Sequence, residues 1–292
     1  MELGRTPPPE VRRLLRKEVG FGCPVEECDS PYLSWHHFDP PWAAGHHQNP
    51  EGMIALCVLH HGQADEGAFT VEQLRALKDP TRNRAESRLR GRFFWRRDRL
   101  LLLAGGNWWS GCDILLKCGP IPIIWLSRDQ DGYERLNVDL FDAAGVARLQ
   151  LRDNDWVVDR DVHDLVCTPR KASLIVKTAT LGAELSVSFE RAKREVVTKR
   201  AIDILRAGYQ DLPGWARNQI GDTMPSPEEL GADTANRLLE GVPEADSALC
   251  VIEGQLRWPV EVALEPTRIV LPGHNVFTGG VFKGASIGIQ LG

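Results

Sequence analysis

Between residues 23 and 61 the chain carries three cysteines and six histidines, whereas every other position together supplies only four cysteines and two histidines. Thiolate and imidazole are the donors that a tetrahedral zinc takes, and zinc sites in small modules deliver them as two tight knuckles. Cys23-x4-Cys28 and Cys57-x2-His60 have that form, with 28 residues between Cys28 and Cys57, room for a strand, a loop and a second strand. The histidines left over, His36, His37, His46, His47 and His61, exceed what one zinc needs and point to a second site interleaved with the first. Adjacent histidines at a strand end face opposite ways, so of His36 and His37 one can bind metal while its neighbour faces substrate; His60 and His61, opening a helix, divide in the same manner.

Short elements must carry these groups. Glu10–Glu18 follows three prolines and is expected to be helical, stopped by Gly20 and Gly22. Tyr32–His37 and Met53–Cys57 are expected strands, separated by a loop punctuated with Pro40, Pro41 and Pro50, and a helix should begin just after Cys57. Thr70-Val71-Glu72-Gln73 has the pattern of a capping box opening a helix through Lys78. A unit of this size has little core of its own, which is the physical reason to staple it with metal.

The text CPVEEC … LSWHHFDP … NPEGMIALCVLHHGQAD, about residues 20–66, resembles the zinc-stapled branch of the HNH (ββα-metal) endonucleases. The resemblance implies a structural Zn²⁺ on Cys23, Cys28, Cys57 and His60. It also implies His37 as general base, with His36 and His61 holding one catalytic divalent ion. Asp65, one turn beyond His61 on the same helix face, is the expected third ligand. The family's middle Asn falls at Gly52 here, so the carbonyl of Gly52 or the side chain of Asn49 is the expected substitute for orienting the base. Imidazole ligands favour Mn²⁺ or Ni²⁺ over Mg²⁺. A neutral imidazole can take a proton from water near neutral pH. The implied function is hydrolysis of DNA phosphodiester bonds, with RNA the less expected substrate, in a prokaryotic restriction or antiphage-defence setting. The alternative is a non-catalytic zinc module that recruits nucleic acid or protein.

The formal net charge of −5 conceals an asymmetry: residues 1–99 sum to +1 and the remainder to −6. Arg82, Arg84, Arg88, Arg90, Arg92, Arg96, Arg97 and Arg99 lie within 18 residues, the expected phosphate-tracking strip and the expected source of an arginine clamp on the scissile phosphate. The overall acidity excludes a general nucleic-acid coat, so such contacts are expected to be local.

The chain as a whole reads as α+β in three parts: a nuclease module at 1–80, an arginine-rich linker at 81–99, and a β-rich regulatory, specificity or assembly domain at 100–292. In that last part, strand-like runs recur at hairpin spacing from Leu100 to Phe189 and again at Ala248–Glu253 and Trp258–Leu264. A helix over 190–207, a long loop over 208–246 and a Gly-rich tail from Gly273 complete it, the whole forming a sandwich, barrel or short solenoid. The four later cysteines and most of the tryptophans are expected to be buried. With 42% hydrophobic residues, an odd count of seven cysteines, no apolar run of membrane-spanning length and a proline-rich start, the expected setting is the reducing cytoplasm. Expected partners are DNA and either a second copy or a defence-system protein.

Overall fold

The computed structural model describes residues 4–79, 87–168, 172–178, 184–214, 217, 225–241 and 243–291. Helix α1 (Pro9–Glu18) starts on the proline run, whose fixed φ suits a first helical turn. Strands β1 (Leu33–His37) and β2 (Met53–Cys57) pair antiparallel with Leu33 opposite Cys57 and His37 opposite Met53. Helix α2 (Val58–Asp65) follows β2 with no intervening loop, and α3 (Val71–Leu77) opens on the expected Thr70/Gln73 capping box. Leu15, Val19, Phe38, Leu74 and the whole of β2 form the small core that these elements share.

The remaining strands build two larger sheets. One contains β3 (Arg88–Arg92), β6 (Ile114–Cys118), β7 (Ile121–Arg128), β8 (Glu134–Phe141), β9 (Ala147–Arg152), β10 (Asp155–Asp159) and β19 (Ile287–Leu291), in the order β19-β6-β7-β8-β9-β10-β3. The other is ten-stranded and is organised on β14 (Ser247–Leu256). Along one edge β14 pairs antiparallel with β13 (Glu184–Arg191). Along the other it pairs first in parallel with β4 (Arg99–Ala104), then antiparallel with β15 (Val262–Leu264). Beyond β13 lie β12 (Ser173–Lys177) and β11 (Asp164–Thr168), and β5 (Asn107–Ser110) pairs with β4. Beyond β15 lie β16 (Ile269–Leu271) and β17 (Asn275–Phe277).

Four consecutive leucines on β4 are accounted for by burial on both faces, which removes the in–out alternation of a half-exposed strand. Leu100 and Leu102 enter the core between the two sheets, together with Leu116 from β6, Val138 and Leu140 from β8 and Trp156 from β10. Leu101 and Leu103 enter a second layer, against Val197, Ala201 and Ile204 of α4 (Arg194–Asp211) and Ala235 and Leu238 of α5 (Pro227–Leu239). The result is a sheet–sheet–helix body, the α+β class expected, with the sandwich form among those foreseen.

Three local expectations are corrected. Residues 208–246 are not all loop: α5 opens on a capping box in which Ser226 Oγ accepts from the Glu229 N–H and the Glu229 carboxylate accepts from the Ser226 N–H. The stretch read as a linker contains β3, an edge strand of the first sheet, where Gly91 leaves room for the Trp156 ring that a Cβ would overlap. The Gly-rich tail forms no solenoid. It splits between the sheets, with β18 (Val281–Lys283) parallel to β5 and β19 parallel to β6.

The N-terminal unit is tied to this body by charge. Arg16 of α1 and Asp164 of β11 make a buried bidentate pair, with Nε–Oδ1 at 3.0 Å and Nη2–Oδ2 at 2.7 Å. The Arg16 guanidinium also lies 5.9 Å from the Trp35 ring centroid on β1. Arg160 donates to the Gly20 carbonyl and to Asp29, and the Tyr32 hydroxyl donates to the Arg92 carbonyl at 3.0 Å. No helix among the described residues is long and apolar enough to cross a membrane.

Candidate metal centre

Two donor clusters sit on the β1–β2–α2 unit. In the first, the ligand atoms of Cys23, Cys28, Cys57 and His60 all lie within 4.8 Å of one another. Cys28 Sγ and Cys57 Sγ are 3.7 Å apart, and His60 Nδ1 is 3.3 Å from the sulfurs of both Cys23 and Cys57. Sulfurs ~2.3 Å from a tetrahedral zinc stand roughly 3.8 Å apart, and a sulfur and an imidazole nitrogen somewhat closer. A disulfide would need about 2.05 Å. Burial pushes the Cys23 thiol strongly up and raises Cys28 as well, so the thiolate form there calls for a cation. The Cys57 sulfur also caps α2, accepting from the His60 N–H at 3.5 Å. This Cys3His cluster is consistent with a structural zinc.

The second cluster joins His36 at the end of β1 to His61 and Asp65 on α2. His36 Nδ1 is 3.1 Å from one Asp65 oxygen and His61 Nε2 is 3.6 Å from the other. Ligands each ~2.1 Å from one ion stand roughly 3 Å apart at right angles and about 3.4 Å apart at the tetrahedral angle, so these separations suit a shared divalent ion. Neither nitrogen makes a well-directed hydrogen bond despite burial, as expected of atoms whose lone pairs face an ion. Burial is the leading cause lowering the pKa of both rings, and it keeps them in the neutral, ligating form.

A residue that sequence reasoning missed fixes the tautomer. Ser34 stands two positions before His36 and therefore on the same strand face. Its hydroxyl donates to the Leu56 carbonyl at 3.1 Å and lies 2.8 Å from His61 Nδ1. With its proton committed to Leu56, Ser34 accepts from the His61 Nδ1–H, leaving Nε2 unprotonated and turned to Asp65. Ser34→Ala is expected to weaken divalent-ion affinity at the second cluster by about 10–100-fold while zinc content stays at one per chain. Calorimetric titration of Mn²⁺ checks it, and an unchanged affinity would remove Ser34 from the site.

His37 faces the other way and is only 4% exposed, with neither ring nitrogen hydrogen-bonded. Its ring packs 4.8 Å from Trp42 and 5.1 Å from His47, centroid to centroid. Burial first, and then the nearby His47, push its pKa down to about 4. The expected orienting partners are engaged elsewhere. The Gly52 carbonyl accepts from the N–H groups of Phe38 and Asp39, and Asn49 Oδ1 accepts from Glu51 N–H. No side chain fits at position 52, because a Cβ there would overlap the Asp39 carbonyl oxygen. His47 is held at both nitrogens, accepting from Asn49 N–H at Nδ1 and donating from Nε2 to the Pro40 carbonyl at 2.9 Å, so it has no lone pair to offer a metal. His46 stacks on Trp42 at 4.6 Å.

His36, His37 and Asp65 line one cavity of about 300 Å³, walled by Phe38, Trp42 and Phe69. Arg5 lines it too, and is the one Lys or Arg to do so among the described residues. None of the described residues of the arginine strip does. Arg82 and Arg84 lie outside the described residues, Arg88 pairs with Asp159 at 3.0 Å, and Arg92 pairs with Asp155. Arg90 and Arg96 are exposed, and the Arg97 guanidinium lies 5.8 Å from the Trp95 ring. Comparison with protein-family models, with curated proteins and with solved structures finds no match for this chain.

Proposed function

We propose that the N-terminal unit, residues 1–80, is an HNH-type metal-dependent endonuclease that hydrolyses DNA phosphodiester bonds, and that the β-rich remainder regulates or targets it in restriction or antiphage defence. The observation that carries this reading is the presence of two separate donor sets on one small hairpin-and-helix unit, with an unpartnered histidine beside the second. A module that only recruits a partner needs the Cys3His staple and has no use for a His36–His61–Asp65 cluster whose His36 and Asp65 line the same cavity as His37.

In this reading Cys23, Cys28, Cys57 and His60 hold the fold, and His36, His61 and Asp65 bind Mg²⁺, Mn²⁺ or Ni²⁺. Such an ion, when bound, supplies charge stabilisation for the phosphate oxygens of the transition state. His37 is neutral in the neutral pH range and takes the proton of the attacking water at its free nitrogen. Trp42 and His47 hold the His37 ring by packing, in place of the side-chain bond that Gly52 cannot make.

Incubating the full chain with supercoiled plasmid and each of the three ions tests the proposal. Nicked or linear product is expected with at least one of them. His36→Ala is expected to abolish it at low ion concentration while retaining zinc. No cleavage of plasmid or of single-stranded oligonucleotide with any ion would overturn the nuclease reading in favour of zinc-dependent recruitment.

A further inference from the structure

We propose that Arg5, held over the cavity by an N-terminal strap, contacts the substrate phosphate at this site. The inference deepens the nuclease reading and rests on it. The expected source of a phosphate clamp was the strip at 82–99, but Arg88 and Arg92 are already committed to Asp159 and Asp155, and none of the described strip residues lines the cavity. Arg5 does line it, together with His36, His37 and Asp65. Among the described residues no carboxylate stands within ion-pair distance of Arg5, in a protein where most arginines are paired.

The strap gives Arg5 a defined position. Gln48, in the loop that carries His46 and His47, donates its side-chain amide to the Gly4 carbonyl. Pro7 is buried, and Pro7-Pro8-Pro9 lead directly into α1. Three successive prolines fix φ and cut the entropy that a free arm would lose on binding. A guanidinium so placed offers two parallel N–H donors to the non-bridging oxygens of a phosphodiester, a match that a lysine ammonium cannot reproduce. The aromatic wall of Phe38, Trp42 and Phe69 then faces the sugar and base that flank the phosphate.

The test uses Arg5→Ala, Arg5→Lys and Arg5→Gln in the full chain. Affinity for a short DNA duplex is measured with Ca²⁺ in place of the activating ion, and hydrolysis of bis(p-nitrophenyl) phosphate is measured with Mn²⁺. Arg5→Ala and Arg5→Gln are expected to weaken duplex binding about tenfold or more and to lower the slope of log Kd against log salt by about one. Hydrolysis of the small diester should fall in parallel, Arg5→Lys should recover part of the loss, and zinc content and melting temperature should be unchanged. Wild-type binding and salt slope in Arg5→Ala overturn the assignment even if cleavage by the wild type stands. If the wild type cleaves nothing, the nuclease reading fails, and the duplex arm still decides Arg5: loss of binding in Arg5→Ala keeps the phosphate contact, and no binding by either protein removes it.

Discussion

Cys57→Ser is expected to unfold the N-terminal unit while the sheet–sheet–helix body remains folded. Cys57 serves twice, as a donor of the Cys3His cluster and as the cap of α2. Structural zinc contributes about 10–16 kcal/mol of apparent binding free energy in small zinc-dependent peptides, and that energy is folding energy where the site is absent from the unfolded chain. A core as small as that of α1, β1, β2, α2 and α3 rarely supplies more than about 3–5 kcal/mol, so the zinc term decides whether the unit folds. Zinc per chain should fall from one to none by elemental analysis. Amide exchange protection should vanish across residues 33–65 and persist in β13 and β14, whose side chains lie in the larger cores. A strong chelator should reproduce the pattern in the unaltered protein. Zinc retained by the variant, or protection undiminished in β2, would show that the cluster is not the staple.

His37→Ala is expected to lower the cleavage rate by about 10²–10⁴-fold with zinc content, divalent-ion affinity and circular dichroism unchanged. The ring is buried, both nitrogens lack partners, and its pKa of about 4 keeps it unprotonated throughout the neutral range. The His37-dependent part of kcat/KM, which reports the free enzyme, should therefore be independent of pH there and fall only in acid. A base of low pKa is a weak one, but the negative charge of a docked phosphate favours the protonated ring and raises it toward its ordinary value of about 6.5. Small imidazoles added to His37→Ala should restore part of the rate, since the space between Trp42 and His47 is the size of the ring removed. Activity within tenfold of the original, with no response to imidazole, would exclude His37 as the base.

The two donor clusters were legible because their residues are close in sequence and the elements between them are short. Met53–Cys57 is a strand as read, its partner ends at His37 as read, and His61 and Asp65 meet because residues four apart share a helix face. What escaped reading depends on chain segments that meet only in the fold. Ser34 looks like an unremarkable strand serine until β1 packs on α2, and Arg5 becomes a site residue only when the segment before α1 crosses the loop at Gln48. The consequence of Gly52 was hidden for the same reason, since the clash that forbids a side chain comes from Asp39, in the loop that follows β1. The helix at Pro227–Leu239 is a different kind of miss. Its Ser-Pro-Glu-Glu start is a helix signal in plain sight, masked by the proline, glycine and acidic content around it.

The buried Arg16–Asp164 pair makes the two halves of the molecule thermodynamically answerable to each other. Replacing either partner leaves the other charge buried and unpaired between the halves, a cost of about 3–5 kcal/mol. The same guanidinium leans on Trp35, the residue immediately before His36. Under the proposed regulation, a ligand of the β-rich body whose affinity depends on the Arg16–Asp164 pair would change ion binding at His36, and an ion at His36 would then change the affinity for that ligand by the same factor. Arg16–Asp164 shares that link with Arg160–Asp29 and the Tyr32–Arg92 hydrogen bond, so the N-terminal unit and the body meet through a small polar seam whose strength sets how far a change in one is felt by the other.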